Sequence, residues 1–543
     1  MNEEPKSFWW KFWGRPVRFF LWLALISLAA TIGSGVIANK VNRGPNGNDL
    51  AAQGIVFGLG AVFVVALIGL ILSAIPRTRP AMAWVLRRWI FCGAAVITLV
   101  ALFYAEEDWR GKRAWEQCKA ELRAGGVELN WEKYIPPTVP DEQNVFKAPK
   151  MQEWFVLTNH DRSRTNELSA RLSGSTAQNQ ITASVGASNK IVTEAAARDY
   201  LAWSDQFIPD FDLMRRALER PLVRMEGDYS QPAAMPIPAF IGLRGAARML
   251  AQRTHCYLLL HQPEKALTEL TLIHDLCRLG QAPPGGKPIT LVAAMMNIAV
   301  TELYVNAAGE GFRLGAWQEP QLVVLQHQLK DIHLMLSLME SFETGRASIC
   351  RLIETASAGK LLTSFDSTMI YPSIVPHCWI YRNLINVVEA YQISGRCFDP
   401  AHESISPSAS KEELRRLQTF LNSNSPFKIA TRTAVPNFFK ATETAARQQT
   451  LANEALIACA LERYHLAQGE YPELLTALTP QFIDRIPHDI INDGQLKYHR
   501  TNDAFVLYSV GWNETDDGGT KTLTKDGRPD FENGDWVWDF SKK

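Results

Sequence analysis

WIFCGAAVITLVALFYAEEDWRGKRAWEQCKAELRAGG, residues Trp89 to Gly126, changes character near its middle. From Trp89 to Tyr104 there are 16 residues without a charge, and from Ala105 to Ala124 the chain is rich in acids and bases. A helix rises about 1.5 Å per residue and the hydrocarbon of a bilayer is about 30 Å thick, so the first half spans only if Arg87 and Arg88 extend back to the lipid surface. The second half reads as a helix leaving the membrane, closed by Gly125 and Gly126. Upstream, Phe19 to Ala38 gives 20 uncharged residues and Ile55 to Ile75 gives 21, each long enough to cross. A cleaved signal peptide is the alternative for the first run, with Val36 and Ala38 at the small-residue positions, but its apolar region would be overlong.

Three spans are therefore expected, at about 19–38, 55–75 and 87–104. Trp9, Trp10, Trp13 and Trp22 crowd the first, and Trp84 and Trp89 the third, as amphipathic rings do at the water–lipid boundary. Lys6, Lys11, Arg15 and Arg18 precede span one, and Arg77, Arg79, Arg87 and Arg88 precede span three; the loop between spans one and two has only Lys40 and Arg43. Positive loops stay inside, which puts the N-terminus in the cytoplasm of a bacterial inner (cytoplasmic) membrane and the large C-terminal region outside it. Gly58, Gly60 and Gly69 in span two suit close helix packing, and ordinary span composition explains them equally well.

At 543 residues the chain exceeds one hydrophobic core, and 47% hydrophobic with 21% charged residues is the composition of a folded protein. Lys plus Arg equals Asp plus Glu at 56 each, so no global field favours nucleic acid as a partner; the expected partners are the membrane lipid bilayer and a protein of the cell envelope. Of eight cysteines, Cys92 falls in a span; Cys378 and Cys397 flank a loop-like stretch and are the pair best placed for a disulfide in an oxidising compartment. For most of the others, the simpler reading is small apolar core residues.

Beyond the membrane exit, Ile135 to Asn144 (IPPTVPDEQN) is a stiff proline-rich connector, and Ser163 to Lys190 a polar surface excursion. From Glu194 to Gln392 the pattern is helical. Gly242 to Leu260 and Pro263 to Leu279 form an antiparallel hairpin turning at His261-Gln262-Pro263. Tyr257, Ala266 and Leu270 fall at spacings that tetratricopeptide repeats also use; Arg278 stands where that pattern has proline, and no second copy follows. Leu291 to Ala308 is apolar nearly all round, and Glu302, Asn297 and Asn306 mark it as a buried core helix rather than a fourth span. Leu322 to Thr344 and Ala347 to Ala356 extend the bundle. Gly395 to Ser410 reads as a polar linker, after which Ser410 and Glu413 make a capping box. Thr442 to Gln468 is an amphipathic helix capped by Gly469. The period then drops to two: Leu496 to Arg500 and Ala504 to Val510 are strands joined by Thr501-Asn502-Asp503, and Asp535 to Phe540 is a third.

The last hundred residues resemble the C-terminal part of the major pseudopilin of the type II secretion system. ALERYHLAQGEYPELLTALTP (Ala460 to Pro480), IPHD (Ile486 to Asp489) and AFVLYSVGWNETDDGG (Ala504 to Gly519) carry the resemblance. In that family a helix ends at a Gly-x-Tyr-Pro corner, here Gly469, Tyr471 and Pro472. A Leu-Pro-x-Asp-Pro turn follows, here Ile486, Pro487 and Asp489 with Ile490 replacing the second proline. The Asp/Gly-rich loop after the strand binds calcium in that family, so the resemblance implies a calcium cofactor on Asp516 and Asp517, with Asn513, Asp526 and Asp535 as further ligands. The chain departs from the family in having a long soluble stretch between its last span and this helix, and in lacking the Gly-aromatic processing site. The whole plan, with WRGKRAWEQCKAEL, IPPTVPDEQN and the helical hairpin, is similar to bacterial membrane-anchored proteins without an established activity.

The fold class expected is mainly α (α+β overall): a three-helix membrane anchor (1–104), a juxtamembrane helix, connector and polar loop (105–193), an extracytoplasmic helical domain (194–394), a linker (395–410) and a small C-terminal α+β module (411–543). No catalytic or cofactor-binding residue stands out. Ser408-x-x-Lys411 matches an acylating-enzyme motif but sits at a helix start, where capping explains it. His327 and His333, six apart, lie on different helix faces and make a poor zinc pair. No acids stand one turn apart on an apolar helix face, and Glu106-Glu107-Asp108 reads as a solvated cluster at the membrane exit. Glu302, His274 and Arg346 are the isolated polar residues that would line a pocket if one exists. The favoured reading is a non-enzymatic envelope scaffold; the alternatives are an enzyme or sensor with an inter-helical pocket, and an accessory part of a secretion or pilus-like apparatus.

Overall fold

The computed structural model describes residues 18–28, 30, 62–72, 75, 78–156, 172, 194–280, 290–356, 377–422, 425–428, 431–432, 435, 438–501 and 504–540. The chain divides into two units, Met1–Trp109 and Arg110–Lys543.

In the first unit, α1 (Arg18–Leu28) and α2 (Val62–Leu72) cover the described parts of the first two expected spans apart from Ala30 and Ile75; the other residues of both spans, Gly58 and Gly60 among them, lie outside the described residues. A Cβ on Gly69 would stand 2.5 Å from the Phe20 ring, so this glycine lets α1 and α2 approach closely. The third expected span opens α3 (Arg79–Ala124), an uninterrupted helix whose remaining turns belong to the second unit. Trp84, Trp89, Phe91, Ile97 and Leu102 are all more than 60% exposed, a surface suited to lipid.

The second unit begins with the rest of α3, whose Trp115 and Leu122 are buried. The helix stops where Gly126 takes a φ of +76°, and the N–H groups of Gly125, Gly126 and Val127 return to carbonyls of the last turn. After α4 (Pro149–Phe155) come α5 (Glu194–Ser204) and α6 (Ile208–Leu218). The expected hairpin is α7 (Phe240–Leu259) and α8 (Pro263–Cys277), with His261 at the turn in the left-handed region. Ala266 and Leu270 are fully buried. Between the two helices Arg253, 1% exposed, donates through Nε to Glu269 (2.8 Å) and through Nη1 to Ser204 and Asp205, which ties α5 and the turn after it to the hairpin.

At the centre lies α9 (Leu291–Arg313), with Thr290 capping its N-terminus. It is a core helix, as its polar residues imply: Tyr304 is fully buried and donates to Gln328 at 2.9 Å. Gly309 and Gly311 give it a bare strip, against which Phe540 and Trp317 lie. Next come α10 (Glu319–Lys330) and α11 (Leu334–Ala356). The sequence suggested one helix from Leu322 to Thr344 and a break after it; the break lies instead at Asp331 to His333. There the buried Gln449 side chain accepts the Leu334 N–H (2.7 Å) and donates to the Ile332 carbonyl (2.9 Å), satisfying groups that a helix interruption orphans. Gly345 lies within α11, where Tyr391 occupies the space a side chain would need.

Helix α12 (His377–Gly395) separates Cys378 from Cys397. Its length of about 27 Å excludes the disulfide suggested from sequence, which needs Cα atoms within about 7 Å. The expected linker is in fact a short hairpin, β1 (Phe398–Asp399) and β2 (Ser404–Ile405), with Phe398 and Ile405 buried. Helix α13 (Pro407–Leu421) is capped by Ser406, which accepts the Ala409 N–H; Ser410 and Glu413, expected as the cap, are buried inside it. Pro407 at the first helical position fixes the earlier start.

Helix α14 (Phe438–Gln468) ends at Gly469, φ +80°, and a single antiparallel sheet follows in the order β3 (Lys497–Thr501), β4 (Ala504–Ser509), β5 (Trp536–Val537). One apolar core runs from Trp115 to Trp538, across the boundaries expected at 193, 394 and 410. The described chain is mainly helical with little sheet. Ser163 to Lys190, apart from Leu172, and the loop after Gly280 lie outside the described residues.

Candidate functional site

Two places in the second unit bring together residues with chemistry or shape that packing alone does not require. The first is a small apolar groove of about 60 Å³. Pro136 from the connector, Phe146, Met225, Tyr229, and Pro236 and Pro238 ahead of α7 form most of its wall, and Ala293 of α9 reaches it from below. Prolines hold this wall rigid because their φ is fixed. The Tyr229 hydroxyl is spent on the Met225 carbonyl (3.1 Å), and its backbone carbonyl accepts Trp131 Nε1 (2.8 Å). Arg224 lies over the Tyr229 ring at 4.9 Å. Ile237 lines the groove and is exposed, and Phe240, Ile241 and Val292, close by in sequence to groove residues, are exposed too.

The second place is the terminal sheet and the turns that dock it on α14. At the Gly-Glu-Tyr-Pro corner, Tyr471 is 2% exposed, donates to Glu462 (2.7 Å) and stacks on His465. Burial, then Glu462, pushes the Tyr471 phenol well up. Beyond β4, Asp516, Asp517 and Asn513 sit on one turn, and Asp535 faces it from the start of β5. Asp516 Oδ1 accepts the Tyr508 hydroxyl (2.9 Å) and the Gly518 N–H (3.1 Å), which hold its carboxyl below the usual range. Asp517 accepts Asn513 Nδ2 at 3.3 Å. Asp535 Oδ2 accepts the N–H groups of Gly519 (2.7 Å) and Asp517 (3.1 Å); burial raises its carboxyl, and these bonds oppose the rise. Asp526 is apart from the others, on a separate exposed turn between Leu523 and Pro529. The exposed carboxylates of Asp516 and Asp517, with the Asn513 amide, are donors of the kind a hard cation takes. Among the described residues no group of three His, Cys, Asp or Glu side chains is set to hold a metal ion.

The polar residues singled out as possible pocket walls do not meet. Glu302 faces Arg447 (3.7 Å), His274 lies by Asp275 and the Tyr304 ring, and Arg346 is buried near Tyr134 and Tyr391. Ser408 and Lys411 serve structure: Ser408 donates to Glu514 and Lys411 to the Trp512 carbonyl, joining α13 to the terminal module.

Sequence reading missed one cluster. Glu454 of α14, Asp489 of the Ile-Pro-His-Asp turn and Ser509 of β4 converge in the interior, at 1%, 3% and 0% exposure. The turn is seated by Asn453 Nδ2, which donates to the His488 carbonyl (3.3 Å). The signal in the sequence is that Glu454 opens the apolar run Ala455 to Leu461, which leaves little polar face at this point of the helix; Ile457 and Ala458, three and four residues onward, are fully buried.

No family model, curated protein or solved structure matches the chain, so the site is read from its own residues.

Proposed function

We propose that this is a membrane-anchored, non-enzymatic interaction protein of the bacterial cell envelope. It has three N-terminal spans, a cytoplasmic N-terminus and an extracytoplasmic second unit that receives a partner protein in the proline-lined groove. The observation that carries the reading is apolar surface left in water: Ile237, Phe240, Ile241 and Val292 are 37–52% exposed at and near a rigid apolar groove. A groove this small takes one apolar side chain rather than a substrate, with the surrounding residues adding contact area. Among the described residues two helices, Arg87–Ala124 and Leu291–Arg313, are long and apolar enough to cross a membrane, and of these two the first has its apolar stretch uncovered. The lysines and arginines of the short loops support the orientation.

The test is a photo-crosslinking residue at Ile237 or Phe240 of the full chain in its native membrane, with Leu474, 68% exposed on the terminal module, as control. A discrete adduct at the groove and none at Leu474 is expected; equal labelling at both would defeat the reading. A reporter fused after Lys543 that is active only outside the cytoplasm tests the orientation.

A second reading, an accessory component of a secretion or pilus-like apparatus, is favoured by one observation. Strand β3 is at the sheet edge and pairs only with β4 among the described strands, which leaves one row of backbone groups open to an added strand. Cross-linking from His499 rather than Ile237 supports that reading. Calcium on Asp516 and Asp517, as the resemblance implies, is a separate proposal. It predicts that calcium raises the melting temperature of the full chain and that Asp516→Asn abolishes the rise; a melt indifferent to calcium and chelator removes the ion.

A further inference from the structure

Glu454, Asp489 and Ser509 come from a helix, a turn and a strand, and meet where the terminal sheet rests on α14. Asp489 Oδ1 accepts the Ile491 N–H (3.0 Å) and the Ser509 hydroxyl (2.8 Å), and the Ser509 Oγ accepts the Gly511 N–H (3.2 Å). The Ser509 N–H is directed at Glu454. One Glu454 oxygen, Oε1, is buried and has no hydrogen-bond partner among the described residues. A carboxylate with a bare oxygen in a dry interior is unstable as an anion, and a second carboxyl beside it makes ionisation of both costlier still.

We propose that Glu454 and Asp489 form a proton-binding site, in which one proton held on Glu454 beside the Asp489 carboxyl keeps strand β4 and the Ile486–Asp489 turn seated on α14. The ligand is the proton itself, and the unpartnered Glu454 oxygen is where it resides. The charged groups that face Glu454 are Asp489 and Lys521; His488 faces Asp489. Lys521 is paired with Asp539 at the surface, so its charge is already shared. Burial drives the Glu454 carboxyl far above the usual range, with Asp489 adding to the rise and Lys521 opposing it. Burial raises Asp489 too, but the Ile491, Ser509 and Val510 donors pull it back, so Glu454 keeps the proton.

The sign follows from linkage. Above the ordinary glutamate range the unfolded chain has released this proton and the folded chain retains it. Stability therefore falls with rising pH across that window, by up to about tenfold in the unfolding equilibrium per pH unit, and levels off once the folded site also ionises. Local opening follows the same rule, because the site loses its proton as the sheet lifts.

The experiment uses the full chain in lipid nanodiscs, with hydrogen exchange at residues 505–510 followed from pH 5 to 9 and infrared difference spectra recorded in parallel. The opening equilibrium of β4, taken from exchange rates divided by the base-catalysed intrinsic rate at each pH, is expected to grow with pH in the wild type and to become flat in Glu454→Gln, which keeps shape and hydrogen bonding without the charge. The carbonyl-stretch band of a protonated carboxyl, present at neutral pH, is expected to vanish in Glu454→Gln. Asp489→Asn removes the neighbouring charge and is expected to move the exchange midpoint to lower pH. Wild-type pH dependence retained in Glu454→Gln, or an unmoved midpoint in Asp489→Asn, would overturn the proposal.

Discussion

The Arg87–Ala124 part of α3 and the whole of α9 each hold a stretch long and apolar enough to cross a membrane, and meet opposite fates. The apolar stretch of Arg87–Ala124 is 0% buried within the protein, whereas that of Leu291–Arg313 is 61% buried. What separates them is the placing of small and polar residues. In α9, Asn297 and Thr301 are buried, Tyr304 reaches Gln328, and Gly309 and Gly311 receive aromatic rings. In the apolar half of α3, Gly93 has nothing within 4 Å of where its side chain would be. Apolarity says that a helix avoids water; its hydrogen-bonding groups and gaps say whether protein or lipid covers it.

Three paired substitutions sharpen that contrast or break it. The largest effect is expected from Val300→Asp, an unpaired carboxylate at a fully buried position, which should cost more than about 4 kcal/mol and abolish the protease resistance of the second unit. Its counterpart Ile97→Asp, at a 72% exposed position, should leave that resistance intact and lower the fraction of chain integrated in the membrane, at about 2.5–3.5 kcal/mol. Loss of folding in both would end the distinction. Next comes Gly311→Ala, which drives a methyl into the Trp317 ring for about 1–3 kcal/mol, seen as a lower melting temperature; Gly93→Ala should leave melting unchanged. The smallest is Tyr304→Phe, the loss of one buried hydrogen bond, at about 1 kcal/mol against none for Tyr104→Phe.

The same distinction explains what could be read in advance. Features written in neighbouring residues were legible: the hairpin of α7 and α8, the Gly125-Gly126 stop, the Gly469 cap, and the period-two strands at the end. The core character of α9 was also legible, because its asparagines and glutamate are out of place in lipid. Features created by distant partners were not. The break at Asp331 to His333 depends on Gln449, more than a hundred residues away. The hairpin at Phe398 to Ile405 looked like a linker because its burial is supplied by the Ile490–Asn492 segment, whose backbone it bonds. Ser406 and Ser410 both had the chemistry of a cap, and Pro407 was the clue that chose between them. In the candidate sites, the prolines of the groove are scattered from Pro136 to Pro238, and Glu454 and Asp489 are brought together only by the fold.

The bare strip on α9 also sets a schedule for synthesis. Trp317 follows that helix almost at once, but α14 and Phe540 are made last. From Arg313 to the start of α14 the ribosome adds more than a hundred residues, about ten seconds at ~5–20 residues per second. Through that interval the most apolar helix of the second unit has left the ribosome without its full cover, while resembling a segment fit for insertion into lipid. The nascent chain thus depends on Asn297, Thr301 and Tyr304 to keep α9 out of the bilayer until its tail arrives.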